Sequence, residues 1–262
     1  MHDVITCRGS DCRQKLRVPT DRGVLRVHCP TCGARWEWSP ASATPPGQPR
    51  SATAAASEPT PARDAAAAPS GPTYKVVHLT QGSREWLRWR HDGIGGSEAP
   101  TVMGENRYES VKALLRKKVA APGESFMNDA MRRGKELEPV ALARYAAATG
   151  LRLAPVCLES AHVPWLRASL DGLATDGVAA VEIKCGKKAH EITATTGEVP
   201  RHYYGQLQHI LAITGLPAID FFCHWPGEQD ILLRVPRNIE YIRRLVVKER
   251  EFWGLVVKLR SA

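Results

Sequence analysis

Residues 39–72 of this chain read SPASATPPGQPRSATAAASEPTPARDAAAAPSGP and contain no large apolar side chain. A segment of Ala, Pro, Ser, Thr and Gly cannot bury enough apolar surface to offset the entropy of ordering its backbone, so it is expected to be a disordered tether. It cuts the chain into an N-terminal piece, residues 1–38, and a C-terminal piece, residues 73–262. The two must fold around separate cores. Only the second is long enough for a full domain.

The N-terminal piece needs another source of stability, and its cysteines offer one. Of seven cysteines, four are Cys7, Cys12, Cys29 and Cys32, spaced C-x4-C and C-x2-C. Each pair can sit on its own turn and give two thiolates to a tetrahedral Zn²⁺, and the segment between the pairs alternates like two short strands. A zinc ribbon over 1–38 is therefore expected, and four thiolates leave no open position, so its zinc would be structural. Arg8, Arg13, Lys15, Arg17, Arg22, Arg26 and Arg35 make it basic, as expected of a piece that grips nucleic acid or a protein. Cys157, Cys185 and Cys223 are expected to be buried small residues.

The net charge of +9 favours a polyanionic partner, nucleic acid first. The N-terminus lacks a basic segment followed by an apolar one, and no long uncharged apolar run occurs. Neither a leader peptide nor a membrane association is expected, and the cytoplasm is the expected location.

From Thr73 onward apolar periodicity returns. Helices are predicted near 83–91, 97–103, 109–119, 129–149, 201–214 and 238–260, and strands near 151–158, 166–171, 178–184, 219–225 and 231–235. Gly150 and Gly215 stand where helix C-caps belong. Helices on both sides of a run of strands predict an α/β core. Pro139 falls inside the fourth helical stretch, so either the helix bends there or a new one starts at Glu138.

The strongest local signal is Asp176-Gly177, the residues of a two-residue hairpin turn. With Thr175 paired to Val178, the ladder brings Asp171 opposite Glu182, with Cβ atoms about 4.5–5.5 Å apart. Two carboxylates so placed repel unless a cation lies between them. Lys184 points to the same face and Ile183 to the core. All-oxygen ligands suit Mg²⁺ or Mn²⁺, which in nucleases activate water and stabilise phosphate charge. Alone, D-x(10)-E-x-K is a loose pattern that chance supplies.

Its surroundings narrow it. The ordered motifs RHDGIGGSEA, GKELEPVALARYAAATG, SLDG, VEIKCG and YYGQLQHILAITG resemble the phage lambda exonuclease and YqaJ-type viral recombinase family, of the PD-(D/E)XK nucleases, over about residues 80–226. The resemblance implies a restriction-endonuclease-like core, a mixed sheet flanked by helices. It implies that Asp171 and Glu182 bind the divalent ion with the Ile183 backbone carbonyl, that Lys184 is the catalytic lysine, and that Glu138 reaches the metal directly or through water. Arg90 and Ser97, flanking the glycine turn, would hold a DNA phosphate, with Gly93, Gly95 and Gly96 letting the backbone approach it. On the 201–214 helix, Gln206 borders the apolar stripe of Tyr203, Leu207, Ile210, Leu211 and Thr214, so it is the glutamine expected at the site, while Gln208 faces elsewhere.

The function this implies is a Mg²⁺-dependent 5′→3′ exonuclease on double-stranded DNA ends. It would expose a 3′ strand for a single-strand annealing protein and would assemble as a trimer, by resemblance. The alternatives are an endonuclease, a CRISPR-associated exonuclease of the same fold, or a non-catalytic DNA-binding module.

Overall fold

In a computed structural model, the described residues are 2–6, 15–19, 25–28, 35–38, 73–122 and 128–262. The chain divides into two units, Met1–Ala66 and Ala67–Ala262. In the first, strands β1 (His2–Thr6) and β2 (Lys15–Pro19) pair antiparallel, and so do β3 (Leu25–His28) and β4 (Arg35–Trp38). Cys7, Cys12, Cys29 and Cys32, and the expected tether, lie outside the described residues.

The second unit is a mixed α/β domain. Its sheet runs β11 (Ile231–Pro236), β10 (Ala218–Cys223), β9 (Ala180–Lys184), β8 (Leu166–Ala174), β7 (Leu153–Ser160) and β5 (Tyr74–Val77), with β6 (Ile94–Gly95) also on β8. The β9–β10 and β6–β8 pairs are parallel; the others are antiparallel. The helices are α1 (Arg84–His91), α2 (Ala99–Val102), α3 (Val111–Val119), α4 (Asp129–Thr149), α5 (Lys187–Thr196), α6 (Arg201–Thr214) and α7 (Ile239–Arg260). No described helix is long and apolar enough to cross a membrane.

Apolar periodicity places these elements. Leu207, Ile210 and Leu211 of α6 are buried with Leu158, Leu170 and Phe221 of the sheet. On the other face Ala141 and Tyr145 of α4 pack on Val181, Ile183 and Phe222. Gly150 and Gly215 cap α4 and α6 in the left-handed region, as expected. Helix α4 runs unbroken through Pro139, so no new helix begins at Glu138. The missing N–H costs about 3 kcal/mol in isolation, and burial of Ala141 and Tyr145 against the sheet opposes it.

The hairpin keeps its expected register but not its expected turn. Gly172 pairs with Val181 and Leu173 with Ala180. The last backbone bond between the two strands is Ala174 N–H to Ala179 O, so the loop holds four residues rather than two. Thr175 does not pair with Val178; its N–H goes to the Arg152 carbonyl on the neighbouring chain segment. Gly177 has positive φ, 73°.

Candidate active site

One edge of β8 positions the site. Near its start β8 pairs with β6 at Leu166 and Arg167; further on it pairs with β9 at Gly172 and Leu173. Between these two contacts the edge is split. In a continued ladder the Ile183 N–H would meet the Leu170 carbonyl. Instead Asp171 Oδ2 accepts from Ile183 N–H at 2.7 Å, and Gln81 Nε2 donates to Leu170 O at 3.0 Å. Two side chains thus terminate the ladder and satisfy the separated backbone groups. A cleft of about 560 Å³ opens there, and Asp171, Glu182, Lys184, Glu138, Gln206, Arg90 and Ser97 all line it.

Glu182 is the centre of the arrangement and only 2% exposed. Its Oε1 accepts from Lys184 Nζ at 2.6 Å and from Gln206 Nε2 at 2.6 Å. Its Oε2 is buried with no partner. Burial, and then the Glu182 charge, push the Asp171 carboxyl well above the usual carboxylate range. Burial likewise raises Glu138, with Lys184 pulling the other way. For Lys184 burial opposes the charge, yet Glu182 and Asp171 overcome it and hold the ammonium above its ordinary value. Tyr203 presents its ring face to that ammonium at 4.8 Å. Ile183 is buried in the core, as its alternation predicts.

A hard divalent cation fits this donor set. Glu182 Oε2 is a buried acceptor with nothing to accept from, Asp171 stands beside it with negative charge in surplus, and all donors are oxygen. Among the described residues no three His, Cys, Asp or Glu side chains stand close enough to hold an ion by themselves. Glu138 lines the same cleft, and its charge is felt at Asp171.

The glycine turn forms a second pole of the cleft. Arg90 Nη2 donates to Ser97 Oγ at 2.7 Å, and its guanidinium lies 4.6 Å over the Trp86 ring. Trp86 Nε1 in turn donates to Ser169 Oγ at 2.8 Å, two residues before Asp171. Packing adds a constraint of its own at one of the glycines. A Cβ on Gly93 would lie 2.6 Å from the Trp165 carbonyl, and one on Gly96 3.4 Å from Gln206 Cγ. Close packing against the segment leading into β8 therefore demands glycine at 93, whereas a Cβ at 96 would make only ordinary contact with α6.

The periodicity argument separates the two glutamines correctly in space, but Gln208 is not solvated. It is fully buried, donating to Pro236 O at 3.0 Å and accepting from Asn238 N–H at 2.9 Å. Of the tryptophans, Trp86 and Trp89 line the cleft, while Trp165 stacks on Trp253 and Trp225 lies under Arg133. Cys157, Cys185 and Cys223 are buried, as expected. Gln81 and Lys135 also line the cleft. Gln81 carried no motif signal in the sequence.

Residues 85–217 match the YqaJ-like viral recombinase domain. The chain belongs to that family. The Bacillus subtilis protein YqaJ, whose own function is uncharacterized, is 26% identical over 175 residues, 65% of this chain and 55% of that protein. The chain thus spans just over half the length of this relative. Among solved structures it is similar to an alkaline exonuclease, LHK-Exo, from Laribacter hongkongensis. The TM-score is 0.62 at 27% identity, over 68% of this chain and 95% of that one. A second structure of LHK-Exo, in complex with dAMP, matches with TM-score 0.62 at 26% identity, over the same shares.

Proposed function

We propose that this protein is a divalent-metal-dependent deoxyribonuclease that digests double-stranded DNA from its ends, 5′→3′, leaving a 3′ strand for an annealing partner. The observation that carries the reading is the unpartnered, buried Glu182 Oε2 beside Asp171, with the Lys184 ammonium alongside. Family membership and the likeness to an exonuclease support it.

Asp171, Glu182 Oε2 and the Ile183 carbonyl would hold Mg²⁺ or Mn²⁺, with Glu138 acting through water. The ion would supply Lewis-acid charge at the scissile phosphate and make a water easier to deprotonate. Lys184, kept charged by its two carboxylates, stabilises the negative charge that develops on the attacked phosphate. Gln206 fixes Glu182 Oε1, so the carboxylate keeps Oε2 turned away from that bond. Arg90 and Ser97 receive the terminal phosphate, which sets the distance from the end to the bond that is cut. In the same reading the four N-terminal cysteines, one pair between β1 and β2 in sequence and the other between β3 and β4, hold a structural zinc.

End-labelled linear DNA and closed circular DNA, each with Mg²⁺ and with EDTA, test this. Degradation of linear DNA alone, abolished by EDTA, is expected. Cutting of circles would establish an endonuclease instead, and no cutting of either would leave a DNA-binding module.

A further inference from the structure

The turn assigned to the terminal phosphate is held from beneath by a lysine that no motif contains. Lys118, on α3, is 3% exposed. Its Nζ donates to Gly93 O at 2.6 Å and Arg90 O at 2.8 Å, and pairs with Glu98 Oε2 at 2.9 Å. An ammonium has three protons, and all three are taken. The same Glu98 oxygen also accepts from Gly95 N–H at 2.9 Å. One lysine therefore fixes the turn at Arg90 and Gly93 directly and at Gly95 through Glu98.

The last turn of α1 shows the same device three times. A helix leaves its final four carbonyls without intrahelical partners. Here Arg88 O accepts from Asp92 N–H at 3.1 Å. Trp89 O, Arg90 O and His91 O accept from the side chains of Arg167, Lys118 and Arg260, which come from β8, α3 and α7. Arg260 also donates to the Lys118 carbonyl at 2.8 Å. Cations capping a helix C-terminus are favourable in themselves, but these also set the backbone from which the Arg90 guanidinium projects.

Electrostatics gives Lys118 a second task. Glu98 is a carboxylate inside the turn that is to receive an anion. Unpaired, it would repel a phosphate; paired with Lys118, it is neutralised.

We propose that Lys118 is a positioning residue for recognition of a 5′-terminal phosphate: it sets the Arg90–Gly95 backbone and cancels the Glu98 charge. The inference rests on the reading of Arg90 and Ser97 as the phosphate site. Glu98 provides a variant of opposite sign. Because one oxygen takes both of its bonds, Glu98→Gln can keep both and remove only the negative charge.

The test is the ratio of kcat/KM on 5′-phosphorylated over 5′-hydroxyl linear duplexes, with the thermal midpoint of each full-length variant measured alongside. Lys118→Met should lower the ratio about tenfold. Glu98→Gln should raise it roughly fivefold, the order expected for one unit charge removed a few ångströms from an anion. A purely structural role would move both the same way. If Lys118→Met does not fold, Glu98→Gln carries the test alone, and an unchanged or lower ratio overturns the proposal. It is also overturned if Arg90→Ala abolishes the preference while Lys118→Met retains it. A wild-type protein indifferent to the phosphate, or an Arg90→Ala variant that keeps the preference, would overturn the phosphate reading itself.

Discussion

Lys118 and Lys184 are two lysines placed beside glutamates in the same domain, and they are built for opposite ends. Lys118 has every proton bound to a protein acceptor, two of them backbone carbonyls, and burial lowers its pKa. Lys184 donates to one carboxylate oxygen, faces the Tyr203 ring and opens to the cleft, and carboxylates hold its pKa up. A saturated ammonium is scaffold. One with donors to spare, set among surplus negative charge, can act on something brought to it. An orphan oxygen alone does not make this distinction: Glu249, sealed beside His209, also leaves Oε2 without a partner. There one carboxylate meets one imidazole at 2.6 Å, both fully buried. At Glu182 a second carboxylate, Asp171, shares the same lysine and the cleft gives access.

The largest effect should fall on chemistry at Lys184. Lys184→Ala and Glu182→Ala should each reduce digestion by roughly 10³-fold while retaining DNA binding, compared by product release and by filter binding; undiminished digestion by either variant would place the chemistry elsewhere. Lys118→Met should act on stability as well as on the phosphate preference. It leaves Glu98 as an uncompensated charge, at a cost of about 3–5 kcal/mol, read as a lower urea midpoint. At the cleft the sign reverses: Asp171→Asn can still accept from Ile183 N–H while relieving repulsion with Glu182. It should raise the stability of the metal-free protein by about 1 kcal/mol and abolish activity. A destabilised Asp171→Asn would mean that the two carboxylates are not in conflict.

The sealed pair supplies the smallest test. Burial opposes charge on His209, but Glu249 and the Arg167 carbonyl raise its pKa above the ordinary 6.5. A raised folded value stabilises fully below the unfolded pKa and is lost as pH rises through the folded one. Between pH 6 and pH 9, unfolding free energy should fall by about 1 kcal/mol more in the wild type than in Glu249→Gln. Equal slopes would remove His209 as the titrating group.

The two lysines also mark what the sequence could convey. Lys184 was legible because strand alternation is a strict two-residue period: once Asp176-Gly177 marked the turn, Asp171, Glu182 and Lys184 fell on one face. The register survived an error in loop length, since lengthening a loop evenly on both sides preserves the pairing. Gln206 was legible from helical periodicity for the same reason. Lys118 was not, because a lysine on a short amphipathic helix reads as a solvated side chain, and only the packing of α3 under the α1–β6 turn buries it. Helix α5 was also missed. Its sequence KKAHEITATT ends in threonines of weak helix propensity, and its N-cap, Gly186, makes no side-chain bond. Contacts from β10 and β11 hold it, including His190 Nε2 to Gln229 O at 2.8 Å just before β11.

The contrast rests on a cation position bounded by Asp171 and Glu182, and direct binding tests it without reference to turnover. Mn²⁺ titrated into the full-length protein, followed by the electron paramagnetic resonance signal of the free ion, should reveal a saturable site. An Asp171→Asn, Glu182→Gln double variant should lack it, whereas Lys118→Met, if folded, should keep it. A double variant that binds Mn²⁺ with wild-type affinity and stoichiometry would contradict the account.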